Sequence, residues 1–448
     1  MSQASLRPRG WKQKTPPLNS ASSPGFSFPA IISAMHHFEY AGGRLHCEEV
    51  PLQRIADEVG TPVYVYSERT LLRHVRVFEE AFQSIPHLIC YAVKANSNIN
   101  ILRRFAEWGT GFEIVSGGEL FRVLKAVGSA KRVIFDGPGK TEAEIRFALE
   151  SDILFLNVES SSEADLIANT ARRMGKRARV SIRTNPNVDP KTHPYISTGM
   201  KKHKFGVGIP EARELYLRLK EVPEIDLVGV TCHMGSQITQ LGPFEEALAS
   251  IGELIGEMKG KGIRLQYLDF GGGLGISYNG EEPPSPACYA AAIINATKDL
   301  GLTVVLEPGR VIVGNAGILL TRVVVRKSQG DKRFVIIDAG MNDLIRPPLY
   351  GSHHNIWPVQ EVGENSIREI ADVVGPICES ADFIAQDRDL PIFETGDLMA
   401  IMSAGAYGFS LASNYNSRPR VAEVLVSGDR YEVIGRRETY EDLIRLEI

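Results

Sequence analysis

Cysteine is scarce in this chain. The five cysteines, Cys47, Cys90, Cys232, Cys288 and Cys378, are spread through 448 residues and form no CxxC pair. Their odd number and wide spacing argue against a disulfide framework and against a structural zinc site. No other cluster has the spacing of metal ligands, so no metal is predicted. The expected compartment is a reducing one, the cytoplasm.

Long apolar runs and a large net charge are also lacking. No run approaches the roughly 20 apolar residues that a membrane-spanning helix needs. The formal net charge is only −4, so electrostatics predict neither nucleic acid nor an anionic membrane as a partner. Small-molecule chemistry is the expected class of function. A chain of this length favours two packed domains.

The first 34 residues contain no acidic side chain. They are rich in Ser and Pro, their charged residues are all basic, and the first acidic residue is Glu39. This composition predicts a disordered or non-native extension. An organelle transit peptide has similar features and stays an alternative, and Met35 is a second candidate start of the native protein besides Met1.

Eight short apolar runs, each followed by an amphipathic stretch, begin near residue 88. This alternation indicates βα units with parallel strands, and eight of them over some 220 residues predict a (β/α)8 barrel. The predicted strands are Leu88–Val93, Gly111–Val115, Val133–Phe135, Ile153–Asn157, Ala178–Arg183, Leu227–Cys232, Tyr267–Phe270 and Thr303–Leu306.

The pattern after residue 306 changes to strands joined by turns, which predicts a mainly antiparallel β domain. The N-terminal runs at 36–40 and 44–47 are candidates to join it, and a helix at 51–59 and a strand at 62–66 would lead into the barrel. The strand-like runs of the β domain are Leu319–Arg326, Arg333–Asp338, Ala422–Ser427 and Tyr431–Gly435. The predicted division is 1–34 for the extension, 35–67 for the N-terminal segment, 68–306 for the barrel and 307–448 for the β domain.

Unusual residues collect directly after the predicted strands, where barrel enzymes carry their active sites. They are Lys94 in YAVKAN, His233 in CHMGSQ, the glycines Gly271, Gly272 and Gly273, and Glu307 to Arg310 in EPGR. Three glycines let backbone N–H groups approach a phosphate. A lysine, a phosphate site and a carboxylate are together what pyridoxal phosphate requires.

Each of these residues also has a plainer interpretation. The glycines would then form a simple turn and Lys94 would be a surface lysine, rather than a buried amine of depressed pKa. His233 would be a structural histidine with satisfied hydrogen bonds.

The motifs from Met35 to the C-terminus resemble, in order, those of the barrel-type (fold type III) pyridoxal-phosphate decarboxylases, and most closely the diaminopimelate decarboxylases. They are HFEYAGGRLHCEEVPL near the start, YAVKAN, HPYISTGMKKHKFGV at 193–207, CHMGSQI, DFGGGLG, EPGR, RPPLY at 346–350, GPICESAD at 375–382 and GAYGFS at 405–410. Residues 1–34 lie outside the resemblance.

The resemblance implies pyridoxal 5′-phosphate as cofactor and assigns its contacts. Lys94 would bind the cofactor covalently, His233 would stack on its ring, and Glu307 would pair with the pyridine nitrogen. The phosphate would be held by Ser236, by the glycines at 271–273 and 309, and by Arg310, with Tyr407 nearby.

The resemblance also implies the substrate contacts and the reaction. The carboxylate at the far end of the substrate would be bound by Arg310, Arg346 and Tyr350, with Tyr407 close by, and its ammonium by Glu379. Cys378 and Glu379 would enter the site of a neighbouring subunit, with Cys378 as proton donor, in a homodimer with shared sites. The expected reaction is decarboxylation of meso-2,6-diaminopimelate to L-lysine, the last step of lysine biosynthesis.

Four alternatives stay open at this point. A decarboxylase of the same fold would act on ornithine, arginine or carboxynorspermidine, although Arg346 and the CES motif argue against the members that form diamines. An alanine-racemase-like enzyme shares the barrel and the lysine. The other two are a relative that has lost catalysis and a phosphate-binding barrel without pyridoxal phosphate.

Overall fold

The computed structural model describes residues 35–186, 188, 204–363 and 365–447. Within these ranges, no helix is both long and apolar enough to cross a membrane. The predicted extension at 1–34 lies outside the described residues, as does the motif at 193–207 except for its last four residues.

The N-terminal segment forms a small sheet of its own. Its strands β1 to β3 pair in antiparallel order, and the predicted helix at 51–59 is present as α1. Strand β2 meets the β domain in an antiparallel bridge between Arg44 and Gln360, and the backbone N–H of Leu45 donates to the carbonyl of Val359 at 2.8 Å. The N-terminal runs also pack their apolar faces against the β domain in one buried cluster. The elements of this segment are β1 (Phe38–Ala41), β2 (Arg44–Cys47), β3 (Val50–Pro51), α1 (Leu52–Val59) and β4 (Val63–Ser67).

A closed barrel of eight parallel strands follows, which confirms the predicted fold class. All eight predicted strands are present, with ends within two residues of those expected, and β8 pairs with β9 to close the ring. The strands are β5 (His87–Ala92), β6 (Gly111–Ile114), β7 (Val133–Phe135), β8 (Phe155–Val158), β9 (Ala178–Asn185), β11 (Ile225–Thr231), β12 (Tyr267–Asp269) and β13 (Thr303–Leu306), with the short β10 (Val207–Gly208) beside β9.

Most of the helices around the barrel begin at polar capping residues, but the two that follow Gly208 and Leu241 do not. Ser67, Ser116 and Ser160 each accept a hydrogen bond from a backbone N–H in the first helical turn, and Thr141 forms a full capping box with Glu144. These caps fix where each helix starts, and so also where the preceding loop ends. The helices are α2 (Glu68–Phe82), α3 (Ile99–Glu107), α4 (Gly117–Val127), α5 (Glu142–Glu150), α6 (Ser161–Met174), α7 (Ile209–Leu219), α8 (Gly242–Gly260) and α9 (Pro286–Thr297).

The C-terminal part is a mainly antiparallel sheet, also as predicted. Strand β4, from before the barrel, lies in its middle between β14 and β20. The boundaries 67/68 and 306/307 stay predictions. The strands are β14 (Gly317–Gln329), β15 (Lys332–Ile337), β16 (Ile356–Pro358), β17 (Arg368–Val374), β18 (Phe383–Pro391), β19 (Leu398–Ile401), β20 (Ala422–Ser427) and β21 (Arg430–Gly435), and the helices are α10 (Arg310–Val313), α11 (Arg346–Tyr350) and α12 (Tyr440–Ile444).

A buried carboxylate ties the barrel to the β domain. Glu423 on β20 accepts hydrogen bonds from the hydroxyl of Tyr66 and from the amide of Asn98, both at 2.9 Å. Asn98 caps α3 directly after the first barrel strand, and it donates a further hydrogen bond to the carbonyl of Ile434. Burial raises the pKa of Glu423 to about 7.

This raised pKa makes the stability depend on pH. An acid with a higher pKa in the folded state binds an extra proton there, so its contribution to stability falls as pH rises from the unfolded value of about 4.5 towards 7. Glu423→Gln cannot lose a proton. We expect it to gain stability relative to the unaltered protein between pH 5 and pH 8, by up to about 3 kcal/mol.

Thermal unfolding at both pH values, followed by circular dichroism, measures the effect. Glu432→Gln, on the neighbouring strand and exposed, serves as the matched control and should leave the pH dependence unchanged. Equal pH dependence in Glu423→Gln and the unaltered protein would contradict the prediction.

Candidate active site

A cavity of about 420 Å³ lies at the carboxyl ends of the barrel strands. It is lined from both the barrel and the β domain, because α10, α11 and the loop at 405–410 close its side. Twelve of the residues expected at the site line it, namely Lys94, His233, Ser236, Gly271, Gly272, Gly273, Glu307, Gly309, Arg310, Arg346, Tyr350 and Tyr407.

Lys94 stands in a 3-10 turn immediately after β5. Its Nζ donates to both carboxylate oxygens of Glu113, at 2.7 and 2.8 Å. Burial lowers the pKa of Lys94, but the carboxylates of Glu113 and Glu307 outweigh that effect and raise it above its usual value. The expected depressed pKa is therefore wrong for this arrangement, and the amine is an ammonium whose nearest proton acceptor is Glu113.

Glu113 was not predicted as a site residue. It lies in the middle of β6, fully buried, and burial raises its pKa against the opposing effect of Lys94. A charged residue inside the apolar run GFEIV was the signal that could have identified it, because a buried carboxylate has to be paired.

Three buried carboxylates converge on the cavity. Oxygens of Glu113, Asp136 and Glu307 lie within 4.8 Å of one another. Both oxygens of Glu307 are buried and accept no hydrogen bond from a donor group in the described part of the chain, while its carboxyl shares a hydrogen bond with that of Asp269 when one of the two is protonated. Burial, and then the nearby carboxylate of Asp269, raises the pKa of Glu307 well above its usual range. A buried carboxyl group with only another acid beside it suits a cationic ligand group.

Arg183 is a second cation that sequence inspection missed. Its Nη1 lies 2.9 Å from Asp136 and 3.0 Å from Glu159, and all three side chains are buried. Burial opposes the charge of Asp136, but Arg183 prevails and lowers the pKa of that carboxyl. An arginine in the apolar strand β9 was the available signal.

His233 follows β11 and faces the same cavity. Its Nδ1 accepts a hydrogen bond from the backbone N–H of Gly272, at 3.2 Å. Burial, together with the charges of Arg183 and Lys94, lowers its pKa to about 3. The ring is therefore neutral at physiological pH, with its proton on Nε2.

The glycines after β12 leave no room for side chains. A Cβ on Gly272 would lie 2.3 Å from the carbonyl oxygen of Glu307, and one on Gly273 would lie 2.6 Å from the carbonyl oxygen of Gly235. Gly271 and Gly273 have φ values of +65° and +108°, a region that favours glycine. The result is a concave backbone surface next to Ser236 and Arg310, which are joined by a hydrogen bond of 3.1 Å.

Arg310 and Arg346 form a basic end of the cavity, and both are buried. Arg346 starts the short helix α11. The guanidinium of Arg310 lies 4.9 Å from the ring of Tyr407, whose backbone N–H donates to the carbonyl of Ala95. The β domain thus contacts the turn that carries Lys94.

Cys378 and Glu379 are exposed and do not line the cavity of their own chain. The backbone N–H of Cys378 donates to Asn416, and Glu379 accepts a hydrogen bond from Tyr415 at 3.3 Å. Of the predicted site residues, these two alone lie apart from the rest.

The residues of the cavity fit pyridoxal phosphate. The carboxyl of Glu307, which accepts no hydrogen bond from a donor group of the described residues, suits a protonated ring nitrogen. The glycine surface with Ser236 and Arg310 suits a phosphate. Lys94 supplies the amine, and Nε of Arg310 is likewise buried without a partner.

Comparison with known proteins agrees with this chemistry. The family described as "Pyridoxal-dependent decarboxylase, pyridoxal binding domain" matches residues 68–314. The diaminopimelate decarboxylase of Haemophilus influenzae is 50% identical over 414 residues, which cover 92% of this chain and 99% of that protein. The enzyme of the same name from Pseudomonas aeruginosa is 48% identical over 409 residues, 91% of this chain and 98% of the relative.

A solved structure is similar over nearly the same length. The crystal structure of diaminopimelate decarboxylase from Helicobacter pylori complexed with L-lysine superposes with a TM-score of 0.85 at 45% identity, and covers 88% of this chain and 99% of the other. The chain therefore belongs to the pyridoxal-dependent decarboxylases and, within them, to the diaminopimelate decarboxylase family.

Proposed function

We propose that this protein decarboxylates meso-2,6-diaminopimelate to L-lysine and CO2 with pyridoxal phosphate, as a carboxy-lyase at the last step of lysine biosynthesis. The observation that carries the proposal is the cavity lined by Lys94, by the buried carboxyl of Glu307 and by the two buried arginines Arg310 and Arg346. The widely spaced free cysteines favour the cytoplasm as its compartment.

The cofactor would be held by residues that already face the cavity. Lys94 would bind it covalently, His233 would lie against the ring, and Glu307 would pair with the pyridine nitrogen. Ser236, Arg310 and the glycines at 271–273 and 309 would bind the phosphate. When bound, pyridoxal phosphate supplies an electron sink for the charge left on the reacting carbon by loss of CO2.

Proton transfers fall to the side chains of this chain. The ammonium of Lys94 has to lose its proton before it can act as a nucleophile, and Glu113 accepts it at 2.7 Å. His233 is neutral and half-buried, so it would add no positive charge next to the ring.

The basic end of the cavity selects the substrate. Arg310 and Arg346, with Tyr350 and Tyr407, would bind the carboxylate of the amino acid group that does not react, while Glu379 would meet its ammonium. A substrate without that carboxylate would leave the buried guanidinium of Arg346 without an anion, which is costly. This argues against substrates such as ornithine or arginine.

Cys378 and Glu379 would reach the site from a second subunit. Both are exposed and lie outside the cavity of their own chain, yet the resemblance assigns them to the site. A homodimer in which each subunit completes the cavity of the other reconciles the two observations. Cys378 would then donate the proton to the reacting carbon.

The first test of the proposed function concerns Lys94. The purified protein should show a visible cofactor absorbance band, and it should release lysine and CO2 in equal amounts from meso-diaminopimelate. Lys94→Ala should lose the visible band and essentially all turnover, because it removes the amine that would bind the cofactor. Absorbance and product analysis in one cuvette measure both.

Other results would point elsewhere. A visible band without lysine formation would keep the cofactor and contradict the substrate. No band even after addition of pyridoxal phosphate, or normal turnover in Lys94→Ala, would contradict the proposal as a whole. Lys298→Ala, on the barrel surface, is the matched control.

The second prediction concerns Glu307. A neutral amide cannot keep the ring nitrogen protonated, so Glu307→Gln should still bind the cofactor but lower kcat by about 10²-fold. Steady-state kinetics with a saturating cofactor check this. An unchanged kcat would show that Glu307 does not act on the cofactor ring.

The third prediction concerns the shared site. Lys94→Ala and Cys378→Ala are each expected to be nearly inactive. A mixed dimer of the two has one site with both changes and one intact site, so random mixing should restore about a quarter of the activity. No recovery in mixtures whose mixed dimers are verified by two affinity tags would contradict the contribution of Cys378 from the second subunit.

A further inference from the structure

Arg346 is a buried arginine without an acidic partner. Its Nη1 lies 2.9 Å from Nε2 of His354, and its Nη2 donates to the hydroxyl of Ser352 at 3.2 Å. Its Nε has no partner in the described part of the chain. Arg183, another buried arginine at the cavity, is within 3.0 Å of two carboxylates. The charge of Arg346 is thus left without compensation by the chain around it.

The hydrogen bonds of His354 define its protonation state. Its Nδ1 lies 2.8 Å from the carbonyl oxygen of Met402, which can only accept, so Nδ1 carries the proton. A guanidinium can only donate, so Nε2 must accept from Arg346. Burial and the charge of Arg346 lower the pKa of His354 to about 3. The ring is therefore held as one neutral tautomer.

Tyr278 holds this pair in place. The guanidinium of Arg346 lies over its ring at 4.5 Å, and the imidazole of His354 packs edge-on against it at 5.4 Å. The hydroxyl of Tyr278 accepts a hydrogen bond from Arg310 at 2.8 Å. Both arginines of the basic end are thus fixed by uncharged side chains.

We propose that His354, assisted by Ser352, is a positioning residue for the far carboxylate of the substrate. Its neutral acceptor fixes the direction of the Arg346 guanidinium and leaves the positive charge free for that carboxylate. This inference rests on the proposed function and adds a residue to it that lies behind the site rather than in it.

The neutrality of the acceptor is the essential property. A carboxylate at the position of Nε2 would orient the arginine equally well, but it would form a buried ion pair and compete with the substrate. A protonated histidine would present a donor to a donor. A neutral histidine whose Nδ1–H donates to a backbone carbonyl avoids both the competing ion pair and the contact between two donors.

Two substitutions separate the two hydrogen bonds of His354. In His354→Asn the short amide keeps a donor near Nδ1 for Met402 and removes the acceptor for Arg346. In His354→Gln the longer side chain places an amide oxygen near the position of Nε2 and keeps that acceptor. His354→Asn should therefore no longer position the guanidinium of Arg346, whereas His354→Gln should still position it for the most part.

L-Lysine and 1,5-diaminopentane are the binding probes, because they differ only in the carboxylate. In the holoenzyme, we expect His354→Asn to weaken L-lysine binding about tenfold, the loss of one hydrogen bond to a charged group. Binding of 1,5-diaminopentane should change less than about twofold. KM for meso-diaminopimelate should rise in parallel with the L-lysine Kd, with a smaller change in kcat.

A double-substitution cycle shows whether His354 acts through Arg346. In an Arg346→Gln background, His354→Asn should weaken L-lysine binding by less than about twofold more. A full additional effect, or equal weakening for both probes, would overturn the inference. His353→Gln is the matched control, since the adjacent histidine contacts Asn355 and Arg388 instead, and it should leave binding of both probes unchanged.

The proposed function and this inference fail differently. If the unaltered holoenzyme does not prefer L-lysine to 1,5-diaminopentane, the proposed function is contradicted as well. A preference that survives His354→Asn unchanged overturns the role of His354 alone. Melting temperature and the cofactor band verify folding, and if His354→Asn does not fold, Ser352→Ala should weaken L-lysine binding roughly threefold, while no change there overturns the inference.

Discussion

The salt bridge between Lys94 and Glu113 is the contact on which the cavity depends. Three buried carboxylates within 4.8 Å of one another would repel strongly in a medium of low dielectric constant. Lys94 compensates Glu113, and Arg183 compensates Asp136. Glu307 is left over. The same balance that makes the cavity stable therefore leaves one carboxylate for a cationic ligand group, and it places that carboxylate beside the amine that would bind the ligand.

The β domain contributes to this site by holding the turn after the first barrel strand. The carbonyl of Ala95 accepts a hydrogen bond from the N–H of Tyr407, and Asn98 donates to Glu423. Lys94 directly precedes Ala95, the first of these two contact points in the chain. A barrel alone would leave that turn exposed to solvent, so the position of the lysine depends on residues more than 300 positions away in sequence.

Periodicity alone located the barrel, because each strand is a short apolar run ended by a turn, and local patterns of this kind survive folding. The residues at strand ends, such as Lys94 and Glu307, could be predicted for the same reason. Glu113 is visible in the sequence only as a charge within an apolar run, and nothing in the sequence singles out His354. Their roles come from the partners that folding brings to them, Lys94 across 19 residues for Glu113 and Arg346 across eight residues for His354.

Two buried arginines of the cavity show how the same type of side chain can have two different roles. Arg183 forms ion pairs with Asp136 and Glu159, so its positive charge is neutralised by the chain itself. Arg346 has hydrogen bonds of similar length, but its partners are an imidazole and a hydroxyl. Hydrogen bonds hold both guanidinium groups in place, but only that of Arg346 is buried without an acidic group beside it. A buried charge of this kind calls for an anion, and in the proposed function that anion is the far carboxylate of the substrate.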